Sequence, residues 1–304
     1  MLAAALVFDL GYGEYPGPAH PVVWIGRLVD GAVARGPDQG NARQFLFGLG
    51  LTVAIVALFA GPAWLVLEFV RNEGGALALI LLGALVLKPS FSLRLLLESV
   101  AAVRGRLDEG DLNGARARVA QIVSRDTAAL NPGLVAAAAI ESAAENFSDS
   151  LVAPLLYFVI GGPAAALGYR VVNTMDAMIG YHGRYEHLGK AVARLDDVLN
   201  LIPARLAGLL LVLSAGVGGG SVAGALRTML RDRARTASPN AGWPMAAMAG
   251  ALERRLEKPD HYVLGGGLPS PGPGDIGRAL LVVGGASALA VLLTLTALGL
   301  RYAR

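Results

Sequence analysis

The sequence predicts an all-α fold: a polytopic integral membrane helical protein with membrane-edge polar helices and one or two re-entrant or bent segments. Three observations carry this. Apolar residues are gathered into long runs, with no two-residue alternation long enough to count as a strand and no internal repeat. Hydrophobic residues make up 54% of the 304 and charged residues 16%, against about a quarter charged in a soluble domain; mean hydropathy is +0.54. Glycine and proline interrupt some of the runs, as at Gly61-Pro62 and Gly161-Gly162-Pro163, where a buried membrane segment can bend.

In chain order, 2–10 is apolar but too short to span, and it ends in a Gly/Pro-rich turn over 11–21. An amphipathic piece covers 22–29 and a polar linker covers 35–44. Residues 45–70 form the first span, 71–75 a tight loop, and 76–87 the start of a second span ending at Lys88-Pro89. The helix resumes over 90–103, with Arg94 and Glu98 paired at i, i+4. Residues 104–131 are polar and helical, with Asp111 or Asn113 as the cap. A carboxylate-bearing helix follows over 136–150, then an apolar but broken stretch over 151–172. Residues 173–200 are polar and 201–225 apolar, the latter interrupted by Gly216 and Gly218 to Gly220. The longest polar segment, 227–275, carries a helix over 244–256 and a Gly/Pro-rich loop over 265–274. Residues 279–300 are the last span. The expected organisation is one membrane-embedded domain over 1–304, with polar cytoplasmic segments at 104–150, 173–200 and 227–278. Counting 151–172 and 201–225 as full spans would place 173–200 on the opposite side. Both are therefore read as re-entrant or bent.

Several function classes are excluded. With no cysteine there is no disulfide framework, thiolate metal site or cysteine nucleophile. A net charge of +3 with no aromatic-laced basic stripe argues against nucleic acid. Residues 1–10 lack a basic leader and no cleavage site follows, so no secretory signal is expected. The chain has no P-loop, no His-Glu-x-x-His and no Gly-x-Ser-x-Gly.

Chemistry concentrates in three polar clusters beside apolar runs. Glu141, Glu145 and Asp149 fall at i, i+4 and i+8, on one helical face, and Asn146 extends the arc. Stacked carboxylates repel and are costly to dehydrate, so a cation belongs among them: Mg²⁺ completed by phosphate oxygens, or plainly Arg125 of Ser124-Arg125-Asp126-Thr127. Asn173 and Asp176 lie one turn apart, followed by Gly180 and Tyr181; helix capping would explain one of that pair. Asp196 pairs with Asn200 and Arg194 with Asp197, the latter worth about 0.3–0.5 kcal/mol if merely an exposed helical pair. Arg205 is either a snorkelling anchor or a phosphate clamp. His20 and Lys88 each have an ordinary structural reading, a satisfied imidazole and an interfacial anchor. The loop over 238–244 reads as a lid or a connector.

Taken in order, His20-Pro21 with Ile25-Gly26-Arg27, Arg125-Asp126-Thr127, Glu141 to Asp149, Asn173 to Tyr181, Arg194 to Arg205 and Ser238 to Pro244 resemble the adenosylcobinamide-phosphate synthase family of cobalamin biosynthesis, called CobD or CbiB. The likeness runs from about residue 20 to 266. Ala177 stands where the family pattern has Ser, and the 11–19 and 265–274 stretches are individual. The resemblance implies a ligase of the cell membrane, its site facing the cytoplasm. It would use ATP and Mg²⁺ to join (R)-1-aminopropan-2-ol, its O-phosphate or ethanolamine to a carboxylate of adenosylcobyric acid. On that reading Glu141, Glu145 and Asp176 are the catalytic carboxylates, and Asp149, Asp196, Asp197 and Asn200 hold Mg²⁺. Lys88, Arg125, Thr127 and Arg205 meet the nucleotide. His20, Arg27, Asn146, Asn173, Tyr181, Asn240 and Trp243 meet the corrinoid and the amine. Further partners are the lipid bilayer and either a second copy or other late corrinoid-pathway membrane proteins, through intramembrane glycines.

Two other classes use similar residues. An intramembrane prenyltransferase also holds Mg-diphosphate on aspartates at the membrane edge, but needs a deep apolar tunnel. A transporter coordinates ions at mid-span, whereas these carboxylates lie in polar segments or at span edges.

Overall fold

The computed structural model describes residues 1–181 and 183–302. In chain order the helices are α1 (Leu2–Gly11), α2 (Pro21–Val33), α3 (Asn41–Glu73), α4 (Gly75–Leu87), α5 (Leu93–Asp108), α6 (Leu112–Val119), α7 (Pro132–Phe147), α8 (Ala153–Ile179), α9 (Lys190–Leu199), α10 (Leu201–Leu213), α11 (Val222–Asp232), α12 (Gly242–Leu252) and α13 (Pro273–Tyr302). Two short strands, β1 (Leu256–Lys258) and β2 (Tyr262–Leu264), pair antiparallel between α12 and α13. The fold class is the expected one. Among the described residues, four helical stretches are long and apolar enough to cross a membrane: Asn41–Glu73, Gly75–Asp108, Pro132–Ile179 and Pro273–Arg301.

The chain forms two compact units. The first comprises Met1–Ser92 and Ala153–Asn200. Its core is Ile25 and Val29 of α2, Ile55 of α3, Val171, Val172, Met175 and Ile179 of α8, and Leu188 and Val192 at α9. Residues at i, i+4 and i+8 of α8 (Val171, Met175, Ile179) supply one apolar face. The long α3 instead leaves Leu46, Val53, Trp64, Leu65 and Phe69 exposed, the surface a span presents to lipid. Pro62 lies inside α3 without ending it. The Gly161-Gly162-Pro163 interruption does bend α8: Gly162 has φ 73° and ψ −167°, outside any helix.

The second unit comprises Leu93–Val152 and Leu201–Arg304. Its centre is built from two helices buried nearly all round. Along α7, Val135 to Ala144 are all buried, and so are Met245 to Leu252 along α12. Alanine both favours the helix and allows close approach of neighbours. Asn131 caps α7, its side chain accepting from Leu134 N, with Pro132 at the first helical position. Asp111 caps α6 in the same way.

The stretch over 201–225 breaks where its glycines fall: a 13-residue helix, α10, is followed by a short 3₁₀ turn over Ala215–Gly218 and the start of α11. Two details differ from the sequence reading. The helix expected over 244–256 ends at Leu252, and a β-hairpin over 256–264, three residues a side and too short for alternation to reveal, stands where no strand was expected. The carboxylate helix stops at Phe147, and Ser148–Val152 is a π-helical turn. A π-turn winds wider than an α-turn, so Asp149 leaves the face that Glu141 and Glu145 would share with it on a straight α-helix.

Candidate functional site

In the second unit, Glu141 is 1% exposed. Its Oε2 accepts a charge-assisted bond from Arg125 Nη2, while Oε1 has no hydrogen-bond partner among the described residues. Arg125 also donates from Nη1 to the carbonyl of Glu257 at 3.4 Å, which ties β1 to the pair. An ion pair this deep persists only where both charges are held. The Tyr262 phenol on β2 is pushed well above its usual range by burial first and then by the Glu141 charge. Glu145, one turn on, is exposed. Asn146 folds back, its Nδ2 donating to Ser142 O at 3.0 Å and Ser142 Oγ at 3.1 Å. Thr127 is buried and donates to the Arg116 carbonyl at 3.2 Å. Asp149 is half-buried on its π-turn.

In the first unit, α8 and α9 bring together residues that are 23 positions apart. Asp196 Oδ2 accepts from Asn200 Nδ2 at 2.9 Å and Oδ1 from Asn173 Nδ2 at 3.4 Å. Tyr169 in turn donates to Asn200 Oδ1 at 2.9 Å, and Tyr157 stacks on Tyr169 at 5.2 Å. Burial pushes the Asp196 carboxyl up to about 6; the Asn200 and Asn173 bonds oppose that and the neighbouring Asp197 adds to it. Asp197 is raised by burial too, against the pull of Arg194 at 4.0 Å. Asp176 is half-buried one turn from the end of α8. A Cβ at Gly180 would sit 2.7 Å from the Asp176 carbonyl oxygen as well as 2.0 Å from Oδ1, so glycine lets the chain turn closely over that residue. Tyr181 is exposed beside this turn.

Lys88 and His20 belong to a second cluster of the first unit. Lys88 is 1% exposed and Asp9 fully buried. The ammonium lies 3.0 Å from Asp9 Oδ1 and 3.0 Å from Glu14 Oε1. His20 Nδ1 accepts from Val22 N as the cap of α2, leaving Nε2 to meet Glu14 Oε2 at 2.9 Å. Burial would raise the Glu14 carboxyl, but the His20 and Lys88 contacts outweigh it and hold it below its ordinary value. The Lys88 ammonium is thus committed to carboxylates, and a role on phosphate would require it to leave them. Arg27, about two turns along α2, is exposed.

Arg205 and Asn240 meet in the second unit: Arg205 Nη1 donates to Asn240 Oδ1 at 3.0 Å, and the guanidinium lies 4.8 Å from the Trp243 ring centroid. The 238–244 segment is the turn that starts α12, held by Ser238 Oγ accepting from the N–H groups of Asn240 and Ala241. Of the residues singled out in the sequence, the structure therefore gathers Asn173, Asp196 and Asn200; Arg125 with Glu141; and Arg205, Asn240 and Trp243. It shows Lys88 with His20 through Glu14. Asp9, Glu14, Tyr169 and Tyr262 were missed. Asp9 sits in an otherwise apolar run and was the one legible signal among them.

Among the described residues, no three His, Asp or Glu side chains gather closely enough to cage a metal by themselves. Mg²⁺ needs only one or two carboxylates where water and substrate phosphate fill its other positions, and Asp196 and Asp197 are the carboxylates this cluster offers.

These features define a polytopic helical membrane protein with hydrogen-bonded carboxylate–amide and guanidinium clusters at helix ends. The chain belongs to the CobD/CbiB family: the family model described as CobD/Cbib protein matches residues 2–291. It is 40% identical over 95% of its length to a cobalamin biosynthesis protein CobD of Dehalococcoides mccartyi, covering 94% of that protein. It is 42% identical over 87% of its length to a probable cobalamin biosynthesis protein CobD of Methanothermobacter thermautotrophicus, covering 86% of it. It is 40% identical over 92% of its length to a cobalamin biosynthesis protein CobD of Rhodobacter capsulatus, covering 91% of it. No solved structure matches.

Proposed function

We propose that this protein is an adenosylcobinamide-phosphate synthase of the cell membrane, its site facing the cytoplasm. It would form an amide between aminopropanol or its O-phosphate and a carboxylate of adenosylcobyric acid at the expense of ATP. The observation that carries this reading is the Asp196 carboxylate held between the Asn173 and Asn200 amides, in a chain of the cobalamin-biosynthesis family.

A carboxylate carbon is a poor electrophile. Phosphorylation by ATP gives it a leaving group, and the transfer needs cations to balance the charge. Mg²⁺, when bound, would neutralise phosphate oxygens. Asp196 and Asp197 would hold it, with Asn200 fixing the Asp196 oxygens and Asn173 doing so from α8. Asp176 is the carboxylate we assign to take the proton from the attacking amine. Within the second unit, Arg205 is the residue we assign to phosphate, through the N–H groups that its Leu201 and Asn240 bonds leave over. In that same unit Glu141 and Arg125 fix one another, and Glu145 stands exposed one turn further along the same helix.

The test is incubation of purified protein with adenosylcobyric acid, Mg-ATP and each of aminopropanol, its phosphate and ethanolamine, with mass spectrometry of the corrinoid. One amine should yield the amide with ATP consumed. Glu145→Gln and Asp197→Asn should abolish product while membrane insertion persists. Absence of amide with all three amines would refute the reading, and wild-type turnover by both variants would remove those residues from the site.

A further inference from the structure

Trp243 has two guanidinium neighbours. Arg205 Cζ lies 4.8 Å and Arg233 Cζ 5.0 Å from the indole centroid. Their separation is therefore at most about 10 Å, one Debye length at 0.1 M salt. Neither has a carboxylate partner among the described residues. Arg205 uses only Nη1, donating to Leu201 O at 2.7 Å and Asn240 Oδ1 at 3.0 Å. Arg233 uses only Nη1, on the Leu230 carbonyl. The Nε and Nη2 edge of each, which grips an oxyanion with two parallel N–H bonds, makes no hydrogen bond among the described residues.

The neighbouring acid cannot neutralise them. Asp232 is fully buried and bound by Arg231 and Arg235, each at 2.8 Å, and by Gly265 N at 2.8 Å. Burial would raise its carboxyl, but these contacts outweigh it and hold it below the usual range. The Arg205–Arg233 pair is also built into the packing. Asn240 is 6% exposed. A Cβ at Gly242 would stand 2.0 Å from the Arg233 carbonyl oxygen, and one at Gly208 would stand 3.2 Å from that of Trp243. Glycine at both positions lets the 233–242 turn and α10 close on the start of α12.

We propose that Arg205 and Arg233, with Trp243 as their shared platform, form a binding site for a phosphate-class oxyanion. The site deepens the phosphate role given to Arg205 above, and it adds Arg233, which no sequence motif singled out. A soluble phosphate and a lipid headgroup phosphate carry the same chemistry. The exposed Leu206 and Leu209 of α10 and Leu226 and Leu230 of α11 make the second source a real competitor.

Replacing Trp24 and Trp64, both exposed, with Phe leaves Trp243 as the sole tryptophan. Inorganic phosphate is titrated into this protein in neutral detergent at constant ionic strength, and Trp243 emission is read. The emission should change saturably, and Arg233→Gln should weaken the apparent affinity about tenfold, whereas Arg227→Gln, on the exposed part of α11, should not. The titration is repeated in bilayer discs. An unchanged response in phosphatidylcholine with or without phosphatidylglycerol assigns the site to soluble phosphate. An emission change produced by phosphatidylglycerol alone, with loss of the phosphate response, assigns it to a headgroup. No saturable response in detergent overturns the proposal, as does equal affinity in Arg233→Gln. The readout needs no turnover. Phosphate binding without amide formation would retain the oxyanion site and sink the synthase reading, whereas amide formation without an emission response would do the reverse.

Discussion

Asp196 is where protonation, stability and activity meet. Its folded-state carboxyl is raised to about 6 from 3.8, by burial first, so folding prefers the protonated form. Its contribution to stability is fully present below the ordinary aspartate value and lost as pH rises through about 6, a difference of about 3 kcal/mol. The metal-binding role proposed for Asp196 needs the ionised form, so on that proposal kcat/KM should climb through pH 6 while stability falls as the carboxyl ionises. Asn200→Ala removes a donor to the ionised carboxylate and should move that acid limb up by about one unit; a pH–rate profile of both proteins measures it. An acid limb that does not move would detach Asn200 from the ionisation. The Asp196–Asn200 contact was legible in the sequence because the two residues lie one helical turn apart. The Asn173 contact was not, because it depends on how α8 and α9 pack. The partners of Lys88 were hidden for a related reason: Asp9 and Glu14 are 79 and 74 positions away, and although an acid in an apolar run marks Asp9, nothing local says which cation it meets.

At the scale of elements, composition reveals what length and periodicity can encode. The long apolar α3 and α13, the Asp111 cap and the break at Gly161-Gly162-Pro163 all follow from local chemistry. The π-turn after Phe147 and the three-residue strands do not, since each is set by tertiary contacts over fewer residues than a pattern needs. The α8 bend depends on Gly162, whose φ of 73° and ψ of −167° belong to a region almost reserved for glycine. Gly162→Ala should cost about 1–3 kcal/mol, read as a lower Tm in detergent; an unchanged Tm would mean the bend relaxes freely. The short α1 is anchored by Asp9 to the Lys88 ammonium, so Lys88→Met should cost about 3–5 kcal/mol by stranding a buried carboxylate. Adding Asp9→Asn should restore part of the lost Tm. A double variant no more stable than the single one would show that Lys88 acts by packing and not by charge.

For the whole molecule, the decisive property is sidedness. The synthase reading needs the polar stretches after α5, around α9 and after α12 to face the aqueous compartment that holds nucleotide, because a triphosphate does not cross lipid unaided. Composition alone leaves this open, since the run over 201–225 could be taken for a span. As folded it is an apolar α10 of 13 residues, short of the roughly 20 that cross a bilayer, followed by a turn and by α11 with its exposed Arg227 and Arg231. A segment of that kind can enter and leave on one side where protein covers its backbone. The chain contains no cysteine, so single cysteines at the exposed positions Glu109, Arg194 and His261 report without background. All three should react with a membrane-impermeant maleimide in inside-out vesicles and stay unlabelled in intact cells. If Arg194→Cys instead labels from outside, α9 and its Asp196 cluster face the wrong compartment for ATP, and the metal-binding role assigned to them fails even though the family membership stands.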